Sequence, residues 1–452
     1  MNRYQKQLHP PLSKGAIAMT TTPNHSGASP SAINPRYLLG NEANRIFMAS
    51  QTYGFLDFGR GFPTEQGGAG WLNDDGSIDP EQGIQTWITC RMTHVYAIGS
   101  LLGYPGASEL AHRGVQALQG NLHDDEHGGW YPSVSWQGQP ESGKTCYTHA
   151  FVVLAASSAM LAGDPDGQDL LDQALEIFNR YFWDDDKGLA VDTWDSGFTR
   201  LDPYRGLNAN MHSTEAFLAV ADATGKEDYR ERAGRIIDQV ISWAENNQWR
   251  IPEHFNSDWQ ADLDYNQDNK ADQFKPYGAT PGHGIEWARL ITQYALSRFD
   301  READRNRYIE AAEHLFARAV EDGWAADGAE GLVYTTDWQG RPVVHDRMHW
   351  TLAEALNTSS TLYAATGKAT YADWYATFCS YVDHYLIDHQ GGSWWHQLDA
   401  DNHVIGTVWP GKSDLYHAFQ STLIPYNDPA VSIATAIKKA CGQGQAEQDQ
   451  AR

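Results

Sequence analysis

Three histidines near the starts of predicted helices are the residues of this sequence best suited to proton transfer. They lie in Asn208-Ala-Asn-Met-His212, in Thr280-Pro-Gly-His283 and in Asp414-Leu-Tyr-His417. Imidazole titrates near neutral pH, so a histidine can both accept and donate a proton during a reaction. If the helices that carry them surround one funnel, the three rings can meet although they are far apart in sequence. The alternative for any one of them is a buried ring satisfied by a backbone carbonyl.

His283 has the clearest local setting of the three. The preceding Pro281-Gly282 pair ends one segment and starts a helix, so His283 falls in the first helical turn. The helix dipole there favours the neutral imidazole. Glu286 follows three residues later on the same face, where a carboxylate can orient the ring or raise its pKa. We therefore predict that Glu286 holds His283 for general acid–base catalysis.

Arg91 follows Trp87 by four residues inside an otherwise apolar helix. An unpaired buried guanidinium is costly, so Arg91 needs an anion, a carboxylate or a polyhydroxyl ligand. An internal salt bridge is the equally weighted alternative. Four further residues at loops or helix starts either stack on a ligand or pack in the core: Tyr147, Trp394, Trp395 and His396.

Motifs for metals and nucleotides are missing from the sequence. It contains neither HxH nor HExxH, and no Glu-rich ligand set at helical spacing. It also lacks GxGxxG, P-loop and GxSxG signatures, which argues against nucleotide use and serine hydrolase chemistry. We predict catalysis without a metal or other cofactor.

Six Gly- and Trp-marked turns recur about every sixty residues, and the repeat they define must position these side chains. The turns lie at 68–71, 127–131, 187–194, 250–255, 331–338 and 391–398. The fourth is the weakest. A unit repeated six times brings loops from distant parts of the sequence to one face of a ring, and we expect the chemistry on that face.

Two kinds of helical pattern alternate between the turns. Amphipathic patterns with polar outer faces cover 84–102, 170–182, 229–244 and 371–386. The second kind is rich in Ala, Ser and Gly, as expected of inner, buried helices, and covers 145–161, 210–224, 283–298 and 349–366. Short β-prone runs follow the turns. The sequence therefore predicts an all-α (α/α)6 barrel, a toroid of six helical hairpins with short β-hairpins and loops on the active-site face.

Composition restricts the partners and the compartment. The 452 residues carry a formal charge of −25 and no basic cluster, which argues against nucleic acid and against anionic membranes. No run of eighteen apolar residues is present, so no membrane span is predicted. The four cysteines are scattered, as in a reduced, cytoplasmic protein. The 12% aromatic residues either fill a helical core or line a sugar pocket.

The chain divides into three predicted parts. Residues 1–34 are rich in Ser, Thr, Pro and Gly and are predicted to be a disordered leader. Residues 35–430 are predicted to form the catalytic barrel, and residues 431–452 a C-terminal tail. The sequence leaves the oligomeric state open, and a homo-oligomer is compatible with it.

Five segments over roughly residues 36–426 resemble the N-acylglucosamine 2-epimerase superfamily, and within it the branch of mannose isomerases and sulfoquinovose isomerases. They are Trp87-Ile-Thr-Cys-Arg-Met92, Asn208-Ala-Asn-Met-His212, Thr280-Pro-Gly-His-Gly-Ile-Glu-Trp287, Ser393-Trp-Trp-His-Gln-Leu-Asp399 and Asp414-Leu-Tyr-His417. The resemblance implies an (α/α)6 barrel and a monosaccharide substrate. It also implies reversible aldose–ketose isomerisation through a cis-enediol.

The same resemblance implies roles for individual residues. His417 moves the proton between C2 and C1, and His283, held by Glu286, assists ring opening and proton exchange between O1 and O2. It implies that Arg91, Tyr147, Asn208 and His212 bind the open-chain hydroxyls. We expect four further residues to contact the sugar: Trp87, Trp395, His396 and Glu354.

Substrate choice is the least determined part of this interpretation. A Gln is expected after the paired Trp in the sulfosugar branch, and His396 stands there instead, which favours an unsubstituted hexose. We therefore expect D-mannose–D-fructose interconversion, with D-lyxose–D-xylulose as a side reaction. Sulfoquinovose isomerisation and 2-epimerisation of mannose, glucose or N-acylglucosamine are the alternatives.

Proteins of another class share the predicted toroid. A glycoside hydrolase would need two opposed carboxylates, for which Glu286, Glu354 and Asp414 are candidates, but it would leave the histidines without a role. A carbohydrate-binding protein without turnover is the other alternative.

Overall fold

The computed structural model describes residues 33–450, in which twelve helices form two concentric rings. The outer helices are α1 (Glu42–Gly59), α3 (Ala107–Leu118), α5 (Gly167–Ile177), α7 (Glu227–Asn246), α9 (Glu302–Gly323) and α11 (Ala369–Tyr381). The inner helices are α2 (Thr86–Leu101), α4 (Cys146–Ala162), α6 (Leu207–Thr224), α8 (Pro281–Arg298), α10 (His349–Thr366) and α12 (Tyr416–Ser421). Each inner helix packs on the next, and α12 returns to α2. The predicted (α/α)6 barrel is confirmed.

Burial separates the two rings. In α8 every residue from the first turn to Ala295 is buried, whereas α7 and α9 bury one apolar face each. Three of the four amphipathic patterns belong to outer helices, as predicted. The pattern at 84–102 instead belongs to the inner helix α2, which buries Arg91 and His94 together with its apolar residues. The polar residues of α2 face neighbouring helices inside the barrel, so a polar residue in this helix is not necessarily exposed to solvent.

Within residues 33–450, fourteen short strands lie at the end of the barrel where the inner helices begin. They are β1 (Gly70–Leu72), β2 (Ile78–Gln85), β3 (Ser133–Val134), β4 (Lys144–Thr145), β5 (Trp183–Asp184), β6 (Leu189–Ala190), β7 (Thr193–Trp194), β8 (Arg205–Gly206), β9 (His254–Phe255), β10 (Thr335–Thr336), β11 (Pro342–Val344), β12 (Arg347–Met348), β13 (Gln397–Leu398) and β14 (Val404–Ile405). All their pairings are antiparallel.

The strands join each repeat to the next. The strand that leads into an inner helix pairs with a strand of the following turn: β2 with β3, β4 with β7, β8 with β9, and β12 with β13. Before α8, Ala279 forms a single bridge with Thr336. The ring closes where the Lys412 amide donates to the Leu72 carbonyl at 2.8 Å. We call these paired strands the belt. The belt fixes the starts of the inner helices, so residues there hold defined relative positions.

The Gly and Trp markers of the turns have separate structural causes. Gly129 has a φ of +73°, and a Cβ on it would lie 2.7 Å from Nε2 of His149. Only glycine accommodates both conditions. The neighbouring Trp130 is fully buried, and its Nε1 donates to the Leu118 carbonyl at 2.6 Å. Trp394 of the sixth turn is buried in the same way, so this Trp belongs to the core.

A thirteenth helix, α13 (Ile433–Gln450), crosses the opposite end of the barrel. Ile433 and Ile437 are buried, and Nζ of Lys438 donates to the Leu161 carbonyl near the end of α4 at 2.8 Å. The segment predicted as a tail, 431–452, therefore includes a helix packed on the barrel. The predicted leader, 1–34, lies outside the described residues except for its last two positions. Among the described helices, none is both long enough and apolar enough to cross a membrane.

Candidate active site

The three predicted histidines lie at the belted end of the barrel, each in the first or second turn of an inner helix. The rings of His212 and His417 have centroids 6.3 Å apart. Trp350 of α10 lies between His283 and His417, with centroid distances of 5.1 and 5.9 Å. The starts of α6, α8 and α12 thus bring together histidines separated by up to two hundred residues, as the repeat predicts.

The carboxylate that holds His283 is Glu253, not Glu286. Nδ1 of His283 lies 3.0 Å from Oε1 of Glu253, which directly precedes β9. The Glu253 carbonyl also accepts the Leu207 amide at 3.0 Å, so the belt fixes this residue. The predicted pairing with Glu286 is wrong because a loop side chain reaches His283 from the preceding repeat. With Nδ1 donating to a carboxylate, Nε2 is the nitrogen left for a substrate.

His417 has a glutamate partner of its own. Its Nδ1 lies 3.0 Å from Oε1 of Glu354, and the other Glu354 oxygen accepts Nε of Arg289 at 2.7 Å. Burial alone would raise the pKa of Glu354, but the Arg289 charge and the His417 hydrogen bond outweigh it and lower the pKa. Glu354 is thus ionised, and protein donors occupy both of its oxygens. It orients His417, which differs from the predicted sugar-binding role.

Glu286 lies at the centre of this charge network. Oε1 of Glu286 is 3.7 Å from Nη2 of Arg289, and the residue is buried together with Glu354 and His417. Burial and then the charge of Glu354 raise the pKa of Glu286 well above its usual range. The raised pKa favours the protonated form of the Glu286 carboxyl group. Its Oε1 accepts no protein hydrogen bond, so its carboxyl group retains hydrogen-bonding capacity.

Two overlapping donor sets near Glu286 have the spacing of metal ligands. They are His212 with Glu215 and Glu286, and Glu286 with Glu354 and His417. The guanidinium of Arg289 contacts all three glutamates, at 3.4, 3.7 and 2.7 Å. A protein cation thus supplies positive charge where a metal ion would. Metal-free catalysis remains a prediction.

Arg91 forms the internal ion pair that its burial requires. Its Nη1 pairs with Oδ2 of Asp414, and its Nη2 donates to the Tyr147 hydroxyl at 3.0 Å. Burial would raise the pKa of Asp414, but Arg91 outweighs it and lowers the pKa to about 2. The rings of Trp87 and Phe151 lie 4.9 and 4.4 Å from the guanidinium carbon. Arg91 is thus held rigidly.

His212 lies beside this ion pair and is neutral. Burial lowers the pKa of His212 to about 4, although Glu215 opposes the shift. Its Nδ1 is 3.5 Å from Oε2 of Glu215, and its ring contacts Tyr147 edge-on at 5.3 Å. Asn208, one turn earlier in α6, is partly exposed. Tyr147 therefore contacts both Arg91 and His212, which brings three of these four predicted sugar-binding residues together, and a sugar-binding role for Asn208 stays a prediction.

Aromatic rings form a wall above Arg91. Trp87 contacts Phe274 at 5.8 Å and Trp409 at 5.7 Å, and Tyr147 contacts Phe274 at 5.7 Å. Flat apolar surfaces of this kind suit the C–H faces of sugars. Trp395 lies under Nζ of Lys412, 3.8 Å from its ring centroid, and is partly exposed.

His396, predicted to contact the sugar, is buried and stacks on His349. The two ring centroids are 4.0 Å apart at 10°. Nδ1 of His396 has no protein hydrogen-bond partner. The geometry leaves its sugar-binding role untested and adds a contact that the sequence did not indicate.

Five residues of this site were missed in the sequence: Glu253, Arg289, Trp350, Phe274 and Trp409. Arg289 shares α8 with the exposed Arg298, so residue type and hydropathy carry no clear signal for it. Glu253 belongs to the weakest of the six turns and carries no signal either. The three aromatic residues are indistinguishable by type from the other rings of the core.

Known proteins that are similar to this chain in sequence and in structure include sugar epimerases and isomerases. The model of the N-acylglucosamine 2-epimerase (GlcNAc 2-epimerase) family matches residues 67–421. The chain is 43% identical to a D-mannose isomerase of Thermobifida fusca over 398 residues, 87% of this chain and 97% of the relative. It is 42% identical to a D-mannose isomerase of Pseudomonas cannabina pv. alisalensis, over 88% and 96% of the two chains. A crystal structure of a D-mannose isomerase is similar with a TM-score of 0.78 and 26% identity, over 88% of this chain and 99% of that one.

Proposed function

Because the chain belongs to the N-acylglucosamine 2-epimerase family, we propose that it is an aldose–ketose isomerase that interconverts D-mannose and D-fructose. The observation that carries the proposal is the pair of histidines on either side of Trp350, each with Nδ1 bound to a glutamate. Two imidazoles with free Nε2 atoms suit two proton transfers, one at carbon and one at oxygen.

The reaction begins with the open-chain aldose. His417 removes the proton from C2, and the electrons form a C1=C2 double bond while the O1 carbonyl becomes an enediolate. His283 moves a proton between O2 and O1, and His417 returns its proton to C1. The product is the 2-ketose, with no net gain or loss of atoms. The ionised Glu354 stabilises the imidazolium that His417 becomes during the transfer.

Other residues of the funnel hold the sugar. Arg91 and Tyr147 are held together by their hydrogen bond and present donors to the sugar oxygens, and His212 and Asn208 line the same side. The carboxyl group of Glu286, whose raised pKa favours the protonated form, can donate a hydrogen bond to the developing enediolate. Trp87 and Trp395 supply apolar surface. Each of these roles is part of the proposal.

Mannose is favoured over the alternative substrates. The relatives that are 42–43% identical are D-mannose isomerases, and they cover nearly the whole barrel. Sulfoquinovose isomerisation and 2-epimerisation have no comparable support. The interconversion of D-lyxose and D-xylulose differs from the main reaction only by loss of the C6 group, and we propose it as a side activity.

We further propose that the enzyme works in the cytoplasm on a free monosaccharide. Three of its four cysteines are buried thiols and none is in a disulfide, which suits a reducing compartment.

The test is incubation with mannose, fructose, glucose, sulfoquinovose and N-acetylmannosamine in D2O, followed by NMR. The proposal expects fructose from mannose with deuterium entering C1 or C2, and a His417→Ala variant that still binds the sugar but has a kcat lower by about 10³-fold. Deuterium at C2 with aldoses as the only products would replace it with an epimerase. Release of reducing ends from an oligosaccharide would indicate a hydrolase. No change with any of the sugars would leave a carbohydrate-binding protein.

A further inference from the structure

His349, the first residue of α10, connects two segments of the funnel without belonging to either proton-transfer pair. Its main-chain amide donates to the His396 carbonyl at 3.0 Å, and its ring Nε2 lies 3.2 Å from the Asp414 carbonyl oxygen. The Asp414 carboxylate is the partner of Arg91, and His417 follows Asp414 by three residues. The start of α10 therefore contacts the segment that carries both groups.

The direction of this hydrogen bond follows from the ring's surroundings. Both ring nitrogens of His349 face carbonyl oxygens, since Nδ1 is also 3.3 Å from the His396 oxygen. Carbonyls only accept, and a neutral imidazole has one N–H. Burial lowers the pKa of His349 to about 4, so the ring is neutral at pH 7. The Nε2 contact with Asp414 is the shorter of the two, at 3.2 against 3.3 Å, and we assign the ring proton to Nε2 on this geometry.

The stacked ring of His396 keeps His349 in this orientation. The two ring centroids lie 4.0 Å apart with 10° between the planes, and 1% of His349 and 3% of His396 is exposed. Burial also lowers the pKa of His396 well below its usual range. Two neutral rings stack without charge repulsion. His349 is thus packed on one face and bonded at its edge.

We propose that His349 is a positioning residue, whose Nε2–H fixes the main chain of Asp414 and through it the placement of Arg91 and His417. The inference rests on the proposed function, in which these two residues bind the sugar and move its proton. Loss of the Nε2–H donor displaces both Arg91 and His417. The displaced Arg91 raises KM because it binds the sugar, and the displaced His417 lowers kcat because it moves the proton. A merely structural histidine would affect stability alone.

Two substitutions separate the donor from the ring. His349→Phe keeps a flat apolar ring for the stack and removes the N–H, whereas His349→Gln keeps an N–H donor. For His349→Phe we expect a KM for mannose and a kcat that each worsen by about tenfold, as misplacement of catalytic groups does. Amide hydrogen exchange in 412–417 should become faster. His349→Gln should stay close to the wild type in all three measurements.

His149→Phe is the matched control, because His149 is equally buried but contacts Trp130 and the Thr145 carbonyl instead. It should lower the melting temperature without changing KM or exchange in 412–417. If His349→Phe does not fold, His349→Met serves in its place.

If His349→Phe, which lacks the donor, kept the wild-type KM, kcat and hydrogen-exchange rates, the inference would be overturned. So would equal impairment of His349→Gln, because the N–H would then not be the cause. Hydrogen exchange needs no turnover. A wild-type protein without mannose isomerase activity therefore overturns the proposed function, while the exchange comparison still decides the role of His349.

Discussion

His283 and His417 each place Nδ1 3.0 Å from a glutamate oxygen, but the two glutamates come from different parts of the fold. Glu253 belongs to the strand belt at the rim. Glu354 belongs to an inner helix and also binds Arg289 and Asn357. One histidine is therefore held by a single loop contact, and the other by a buried network of charges.

This difference matches the two chemical tasks. The proton on carbon is the harder one to remove, and the group that removes it becomes positively charged. A fixed, ionised carboxylate in a dry network stabilises that charge without rearrangement. Exchange between two oxygens demands less of its catalyst, and a rim position gives His283 access to either oxygen. The same histidine–glutamate geometry is therefore supported by very different surroundings in the two pairs.

Removal of His417 should have the largest effect. His417→Ala should lower kcat by about 10³-fold, in the range that a general acid–base group contributes. Mannose binding, measured by calorimetry, should change little because Arg91 and Tyr147 remain. A variant that retains more than a tenth of the wild-type kcat would remove His417 from the chemistry.

The deep glutamate should matter for both activity and stability. Glu354→Gln removes a buried negative charge and leaves Arg289 undercompensated. We expect a loss of about 100-fold in kcat/KM and of about 3 kcal/mol in the free energy of unfolding, as for a broken buried ion pair. Kinetics and urea denaturation measure the two. Wild-type stability would contradict the view that Glu354 anchors a network.

The rim glutamate should matter less. Glu253→Gln keeps the shape of the side chain and removes the charge beside His283. We expect about a tenfold lower kcat/KM and a change in unfolding free energy of about 1 kcal/mol, as for a single hydrogen bond. The same two assays apply. Equal effects for Glu253→Gln and Glu354→Gln would erase the distinction between the pairs.

Acid should destabilise the fold through its buried neutral histidines. Burial lowers the pKa of His94, His212 and His349 to about 4, and of His149 to about 3. The unfolded chain binds these protons near pH 6.5, so the stability they contribute is complete above that pH and is lost as the pH falls toward 4. Three carboxyl groups with raised pKa values, Glu286, Asp192 and Asp346, act in the opposite direction. The histidines outnumber them, since the pKa values of His254 and His396 are lowered by burial as well.

Urea denaturation at pH 7 and pH 5 measures this effect. Each unit of pKa difference is worth about 1.4 kcal/mol, so a loss of several kcal/mol is expected. His149→Phe, which lies outside the funnel, should reduce the dependence of the unfolding free energy on pH by the contribution of one proton. If the free energy of unfolding were the same at pH 7 and pH 5, the buried histidine rings would have to take up protons in the folded state.

Chelation should have the smallest effect. Both candidate metal-ligand sets lie on the His417 side and share Glu286, with Arg289 among their carboxylates. Dialysis against EDTA should leave kcat and KM unchanged. If EDTA removed the activity and an added divalent ion restored it, the His417–Glu354 pair would work beside a metal ion. That result would change the contrast between the two histidine pairs more than any substitution.

The sequence predicted the repeat better than the partners within it. Gly and Trp markers and helical spacing are local signals, and they led to the (α/α)6 barrel and to His212, His283 and His417. Glu286 was chosen for His283 because it is close in sequence. The actual partner, Glu253, lies thirty residues earlier. Local spacing cannot locate a contact that the belt creates between repeats.

Burial also limited the sequence interpretation. In α2 and α8 polar residues face other inner helices, so hydropathy could not distinguish Arg289 from a surface residue. Glu354 was predicted to bind the sugar, and nothing near it in the sequence indicates its partner Arg289, sixty-five positions away. A buried ion pair between two inner helices becomes visible only when their relative rotation is known.

The helix α13 has a practical consequence for handling the protein. It crosses the end of the barrel opposite the funnel, and it carries Cys441, which is exposed, while Cys90, Cys146 and Cys379 are buried. A thiol-reactive support would therefore attach the described part of the chain through a single point. Every immobilised molecule would face the solution with its funnel open, and sugar would reach it as freely as in bulk.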